Sequence, residues 1–199
     1  STRAYPDKHD TYLTAVLRYV PIDANGIQSI AYDLWSILDA ARLRTDVILI
    51  LGVSGTLVLP VVRLLSGARI ITNIDGIEWR RDKWNRLARW FLRLSEKVAV
   101  RSSHVVVADN EGIAEHVAEV YGSACVVVAY GGDHAMTAAP DDCDLGDLPA
   151  TYALALCRIE PENNVGLILE AFSELPEFPL GFVGNWENSD AGRDLRGRF

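Results

Sequence analysis

Sulphur is scarce in this sequence, and long uncharged apolar runs are missing altogether. Three cysteines, Cys125, Cys143 and Cys157, and a single methionine stand among 199 residues. A count that is small and odd excludes a disulfide scaffold. Cys125 and Cys157 lie in apolar, strand-like runs and read as reduced core thiols of a cytosolic protein. No stretch of about 18 uncharged apolar residues occurs, which excludes a transmembrane helix. The opening residues Ser1–Lys8 hold no apolar segment, so no signal peptide is expected. A basic surplus is missing too: 19 Lys and Arg face 27 Asp and Glu, a net charge of −8. That balance argues against a general nucleic-acid binder, and no nucleic-acid partner is expected. His9, His104, His116 and His134 show no metal-ligand spacing, so no metal is expected. Neither a GxSxG nucleophile elbow nor a GxGxxG or P-loop glycine pattern appears.

What remains is ordinary for a soluble, core-forming chain, at 49% hydrophobic and 23% charged. Short apolar runs alternate with segments of helical period. Val47–Leu51, Ala68–Ile74, His104–Ala108 and Ala124–Ala129 read as strands, all but His104–Ala108 with the pattern of strands buried on both faces. Tyr12–Val20 is β-rich and stops at Pro21. Ile27–Leu43, Thr56–Leu65, Arg81–Arg101 and Asn110–Tyr121 read as helices. This alternation predicts an α/β fold with a Rossmann-like, mostly parallel sheet. The stretch from Gly131 to Pro149 breaks the rhythm with glycine, proline and aspartate and reads as a linker. A strand Tyr152–Cys157, a helix Pro161–Glu174 and a strand Leu180–Val183 then begin a second Rossmann-like lobe. The expected division is residues 1–130, lacking the usual first strand, a linker over 131–150, and an incomplete second lobe over 151–199.

Ligands of open α/β sheets bind beyond the C-terminal strand ends, which selects the strand-to-helix loops. Gly52-Val53-Ser54-Gly55-Thr56 is either an anion cradle at a helix start or a tight turn that needs glycine. Asn73-Ile74-Asp75-Gly76-Ile77-Glu78-Trp79 sets two carboxylates and an indole past a strand. Asp75 and Glu78 there can orient hydroxyl groups or act as a general base, and Trp79 offers a flat face to a sugar ring. The same acids serve equally well as a turn cap and as favourable charge before a helix. Arg158 precedes a helix start and is either a diphosphate clamp or a salt-bridge partner of Glu160 or Glu162. Asp141-Asp142-Cys143-Asp144 contains D-x-D but reads as a solvated acidic loop.

Charge is segregated as well. Between Trp79 and Arg101 stand eight basic residues and only Asp82 and Glu96 as acids, leaving −14 on the rest of the chain. On a helical projection Lys83, Arg86, Arg89, Arg93, Lys97 and Arg101 share an arc of about 120°, with Trp90 among them. Trp84, Leu87, Ala88, Phe91, Leu94, Ser95 and Val98 fall opposite and are expected to face the sheet. An indole among arginines suits the surface of an anionic membrane; a solvated face paired with acidic neighbours is the other reading.

The string ITNIDGIEWRRDKWNRLARWFLRLSEKVAVRSSHVVVADNEGI resembles the N-terminal domain of bacterial family 4 glycosyltransferases, in particular the rhamnosyltransferase-like branch of surface-polysaccharide assembly. VVVAYGGDHA is similar to the turn leaving that domain, and ALALCRIEPENNVGLILEAFSEL to the opening of the donor domain. The resemblance implies a GT-B fold and a retaining transferase. It would move a sugar, rhamnose in that branch, from a nucleotide diphosphate donor, without a metal or other cofactor. The implied acceptor is a glycan, commonly on a lipid carrier, and the implied place is the cytoplasm or the inner face of the cell membrane. By position Asp75 and Glu78, with Asn73, Gly76 and Trp79, match the acceptor-side loop, and Arg158, Asn163, Asn164 and Gly184 the donor side. Arg86, Arg89, Trp90, Arg93 and Lys97 would meet the membrane. Asn163 departs from the family, where a lysine is common. The resemblance implies a central segment of such an enzyme, from which turnover alone is not expected. A dinucleotide-dependent oxidoreductase and a non-catalytic binding module are the alternatives.

Overall fold

A computed structural model describes residues 7–24, 26–81, 84–133, 136, 149–160 and 163–199. Lys83, the Asp141–Asp144 run, Pro161 and Glu162 therefore lie outside the described residues. The chain divides into two compact units, Ser1–Met136 and Thr137–Phe199.

The first unit opens with a hairpin of two-residue strands, β1 (Thr11–Tyr12) and β2 (Ala15–Val16), paired antiparallel. This corrects the expectation of one β-rich run to Val20. The turn between the strands holds Leu13 at a φ of 52°, which breaks any longer strand. There follow α1 (Gln28–Arg42), β3 (Val47–Leu51), a 3-10 turn (Thr56–Val58), α2 (Leu59–Leu65) and β4 (Arg69–Ile74). Then come a 3-10 turn (Glu78–Arg80), α3 (Arg86–Ser102), β5 (Val105–Ala108), α4 (Glu111–Tyr121) and β6 (Val126–Val127). Pro60 sits in the first turn of α2, where it has no hydrogen bond to break. Asn85 caps α3 by accepting from Ala88 N–H at 2.9 Å, so that helix starts later than its basic run suggests. Asn110 caps α4 in the same way, and Gly122, at a φ of 66°, ends it.

Strands β3, β4, β5 and β6 form one parallel sheet in that order. It is a Rossmann-like α/β layer of the kind found in a GT-B lobe. Ile48, Ile50 and Ile70 pack with Ile37 of α1 and with Leu59 and Val62 of α2. Ile74, Val106 and Ala108 pack with Ala99 and Val100 of α3 and with Ile113 and Val117 of α4. The register sets Leu49, Ile71 and Val105 abreast, then Leu51, Asn73, Val107 and Val126, pointing the other way. None of these belongs to either core cluster, and Leu49 and Leu51 are 60% and 74% exposed. The expectation of strands buried on both faces is thus corrected, because the described helices pack on one side only.

A test follows for the chain as it stands. Replacing Leu49 and Leu51 together by threonine is expected to reduce hydrophobic-dye fluorescence while leaving the unfolding midpoint nearly in place. Ile48→Ala, on the packed face, should cost about 2–5 kcal/mol. Equal losses of stability from the two faces would contradict this packing.

The second unit holds β7 (Ala153–Leu156), α5 (Val165–Ser173), β8 (Leu180–Val183), a 3-10 turn (Trp186–Asn188) and α6 (Asp190–Arg198). β7 and β8 pair in parallel. Helix α5 begins at Val165, later than expected, because Asn164 adopts left-handed backbone at a φ of 53°.

Candidate functional site

The C-terminal ends of β4 and β5 gather the chemistry of the first unit. Asn73 and Ile74 close β4, and Asp109 follows the last residue of β5. Asn73 Nδ2 donates to Asp109 Oδ1 at 2.9 Å, and both residues are buried. The Tyr130 hydroxyl, just past β6, also donates to Asp109, and that bond and charge hold its pKa above the ordinary value. With Asn110 taking the helix cap, the Asp109 carboxylate is left to tie two strand-end loops together.

Asp75 reaches solvent on one side, and no described side chain bonds it. Burial of its other side pushes its pKa up, and the charges of Glu78 and Asp109 push further. Its own backbone N–H and Arg81 oppose them. Glu78 is tied on both sides, accepting from Trp84 Nε1 at 3.2 Å and pairing with Arg81 at 2.9 Å. Asp75 is therefore the carboxylate left available, in a setting where ionisation is resisted. Such a perturbed acid at a strand end marks a site candidate on physical grounds. Gly76 has open space where a side chain would stand, so no close approach explains it.

The sign of the stability effect follows. An acid whose folded pKa is raised favours the fold below its unfolded value of about 3.9, and this is lost as pH rises through the folded value. Asp75→Asn is expected to raise the unfolding midpoint at pH 7. The gain should vanish near pH 4, read by thermal unfolding at both values. No gain at pH 7 would show the charge compensated.

Trp79 departs from the flat platform expected of it. Its Nε1 donates inward to Glu96 Oε2 at 3.1 Å, and the guanidinium groups of Arg80 and Arg93 each lie 5.2 Å from its ring centre. The Gly52–Thr56 loop resolves toward the structural reading. Gly52 has a φ of 94°, and a Cβ on Gly55 would stand 2.5 Å from Asp33 Cβ. Ser54 donates to Asp33, whose carboxyl burial pushes up, so a carboxylate already occupies that loop.

On α3 the buried residues are Leu92, Ser95, Glu96, Ala99, Val100 and Ser102. This corrects the expected sheet-facing arc: Leu87, assigned to it, is 73% exposed; Trp90, placed on the basic arc, is 63% exposed. The helix is turned because Glu96, which the projection leaves off that arc, is satisfied inside. Arg86, Lys97 and Arg101 are exposed with no acidic partner among the described residues. Arg89 is half-buried and donates to the Arg81 carbonyl at 3.3 Å, and Arg93 lies over Trp79.

In the second unit Arg158 follows β7, exposed, 3.5 Å from Glu160. Asn163 Nδ2 donates to the Arg158 carbonyl at 2.7 Å and thereby serves the turn. Asn164 is exposed at the start of α5 and makes no capping bond. A Cβ on Gly184 would stand 2.5 Å from Ile159 Cδ1 and 2.6 Å from the Cys157 carbonyl oxygen, so close packing accounts for that glycine. Among the described residues there is no group of acids, histidines and cysteines able to hold a metal, and no helix long and apolar enough to cross a membrane.

Sequence reasoning named neither Asp109 nor Tyr130 as a site residue, and it missed Glu96, His116 and Tyr121 as a group. The strand-end rule carried a signal for the first two; only side-chain packing reveals the others.

Residues 18–133 match a family described as Domain of unknown function (DUF1972). No curated protein matches the chain. A solved structure described as an S. aureus MnaA–UDP co-structure is similar at 12% identity and a TM-score of 0.52. The match covers 85% of this chain and 48% of that one. The likeness is one of fold, and the chain spans about half the length of that neighbour.

Proposed function

From the premise that the chain belongs to the DUF1972 family, we propose that it forms part of a glycosyltransferase using a nucleotide diphosphate sugar. The observation that carries this reading is the acidic cluster of Asp75, Glu78 and Asp109 at the C-terminal end of a Rossmann-like sheet. Carboxylates at that edge accept hydrogen bonds, so they suit a ligand rich in hydroxyl groups. Asp75 orients the acceptor hydroxyl and draws on its proton; Glu78, braced by Trp84 and Arg81, completes the loop. The sequence resemblance to family 4 glycosyltransferases supports a retaining mechanism, rhamnose as the sugar and a glycan acceptor on a lipid. The UDP in the structural neighbour's description supports a nucleotide diphosphate as the donor's leaving group.

On the donor side Arg158 meets the diphosphate, with the exposed amide of Asn164 as a second donor of hydrogen bonds. Glu160 already neutralises part of the Arg158 charge. The loss on Arg158→Ala is therefore set near the low end of a charge-assisted bond, about 1.5 kcal/mol or roughly tenfold. Calorimetric titration of UDP and of dTDP into the protein and the variant tests this. Equal affinity of both proteins for each nucleotide would remove Arg158 from the donor site.

The partner surface for a lipid-borne acceptor is the outer face of α3, where Arg86, Lys97 and Arg101 flank Trp90 and Leu87. No observation favours the dinucleotide reading, since Asp33 meets the Gly52–Thr56 loop that resembles a phosphate cradle.

A further inference from the structure

The acidic loop is held from beneath by a carboxylate that the proposed chemistry does not use. Glu96, in the middle of α3, is fully buried. Three groups from two parts of the fold, the 3-10 turn Glu78–Arg80 and α4, converge on it. Trp79 Nε1 donates to Oε2 at 3.1 Å; the Tyr121 hydroxyl donates to Oε1 at 2.7 Å; His116 Nε2 lies 3.0 Å from Oε1. Burial and Glu96 hold the Tyr121 hydroxyl above its ordinary pKa, so it stays protonated and donates. The rings of Trp79 and His116 pack at 5.9 Å, and those of His116 and Tyr121 edge to face at 6.2 Å. A buried acid without such donors would be strongly destabilising; with three it becomes a fixed post.

Trp79 lies in the 3-10 turn Glu78–Arg80, directly after Asp75-Gly76-Ile77. Its indole is locked by the Glu96 bond on the inside and by Arg80 and Arg93 over its ring. We infer that Glu96 is a positioning residue: through the Trp79 indole it fixes the Asp75–Glu78 loop in the geometry that transfer requires. This rests on the proposed function for its consequence in catalysis, but the anchoring itself can be read without any activity.

Two paired measurements test it, amide hydrogen exchange over residues 75–81 and transfer kinetics. Glu96→Met keeps length and removes both acceptors. It should raise exchange in 75–81 beyond any change in β4 and β5. It should also lower kcat about tenfold to a hundredfold, as a misplaced reacting group does, with the donor KM within about twofold. Glu96→Gln should recover the protection and most of the rate. Its single carbonyl oxygen can turn to the indole, which only donates, while His116 changes tautomer and Tyr121 turns its hydroxyl. If Glu96→Met does not fold, Trp79→Phe cuts the same bond and keeps a ring beneath the arginines. Unchanged exchange in 75–81 overturns the anchor whether or not transfer is detected. Increased exchange with unchanged kcat overturns the catalytic consequence and removes the loop from the reaction. Increased exchange in a protein that transfers no sugar retains the anchor and rejects the proposed function.

Discussion

Asp75→Asn combined with Glu78→Gln is expected to lower sugar transfer at least about a hundredfold, the lower range for removing a positioned acid–base group. The expectation rests on the contrast between the two acids. Among the described residues Asp75 has no side-chain partner, and its pKa is raised by burial and by two like charges, whereas Glu78 is held by Trp84 and Arg81. Most of the loss should follow from Asp75→Asn alone, in kcat more than in the KM of the donor. Glu78→Gln alone should act more weakly, by loosening the turn through its Arg81 pair. Asp75→Asn is also the variant expected to gain stability at pH 7, and opposite signs in stability and turnover are the mark of a residue kept for function. If the double variant transfers at the parent rate, the loop is architecture and the acceptor lies elsewhere.

The second large effect concerns the outer face of α3. Replacing Arg86, Lys97 and Arg101 by glutamine should weaken binding to vesicles containing anionic lipid about a hundredfold. The basis is about 1 kcal/mol per basic side chain near such a surface. These three are chosen because no acid of the described residues pairs with them, while Arg89 turns inward and Arg93 is committed to Trp79. Trp90→Ala should weaken binding to anionic vesicles further, since its exposed ring sits among the charges. Binding should fall with salt and be absent on neutral lipid. Sedimentation that ignores lipid charge, or that the triple variant leaves unchanged, would reject a membrane partner.

Much of the fold was legible in the residues. Val47–Leu51 and Leu180–Val183 form strands at their expected bounds, because short apolar runs between turn signals leave few other options. Helix α4, Glu111–Tyr121, matches its expected bounds to within one residue. The errors have physical causes. Apolar runs do not say which faces find a partner, so the exposure of Leu49 and Leu51 was invisible. A helical projection leaves Glu96 off the sheet-facing arc of α3, yet Trp79, His116 and Tyr121 satisfy it in the core and rotate the packed face with it. Asn164 ends the turn before α5 by a backbone conformation that no hydrophobic period encodes. At the site, position past a strand selected Asp75 and Glu78, but their unequal bonding is a tertiary fact.

The central claim, sugar transfer at the Asp75 loop, is tested most directly by the mass of the acceptor. The protein is incubated with a panel of nucleotide diphosphate sugars and lipid-linked or free glycans, and the products are weighed by mass spectrometry. The account predicts a gain of one sugar residue on an acceptor, matched by released nucleoside diphosphate and abolished by Asp75→Asn. Donor turnover with every acceptor unchanged in mass, or transfer indifferent to Asp75, would contradict it.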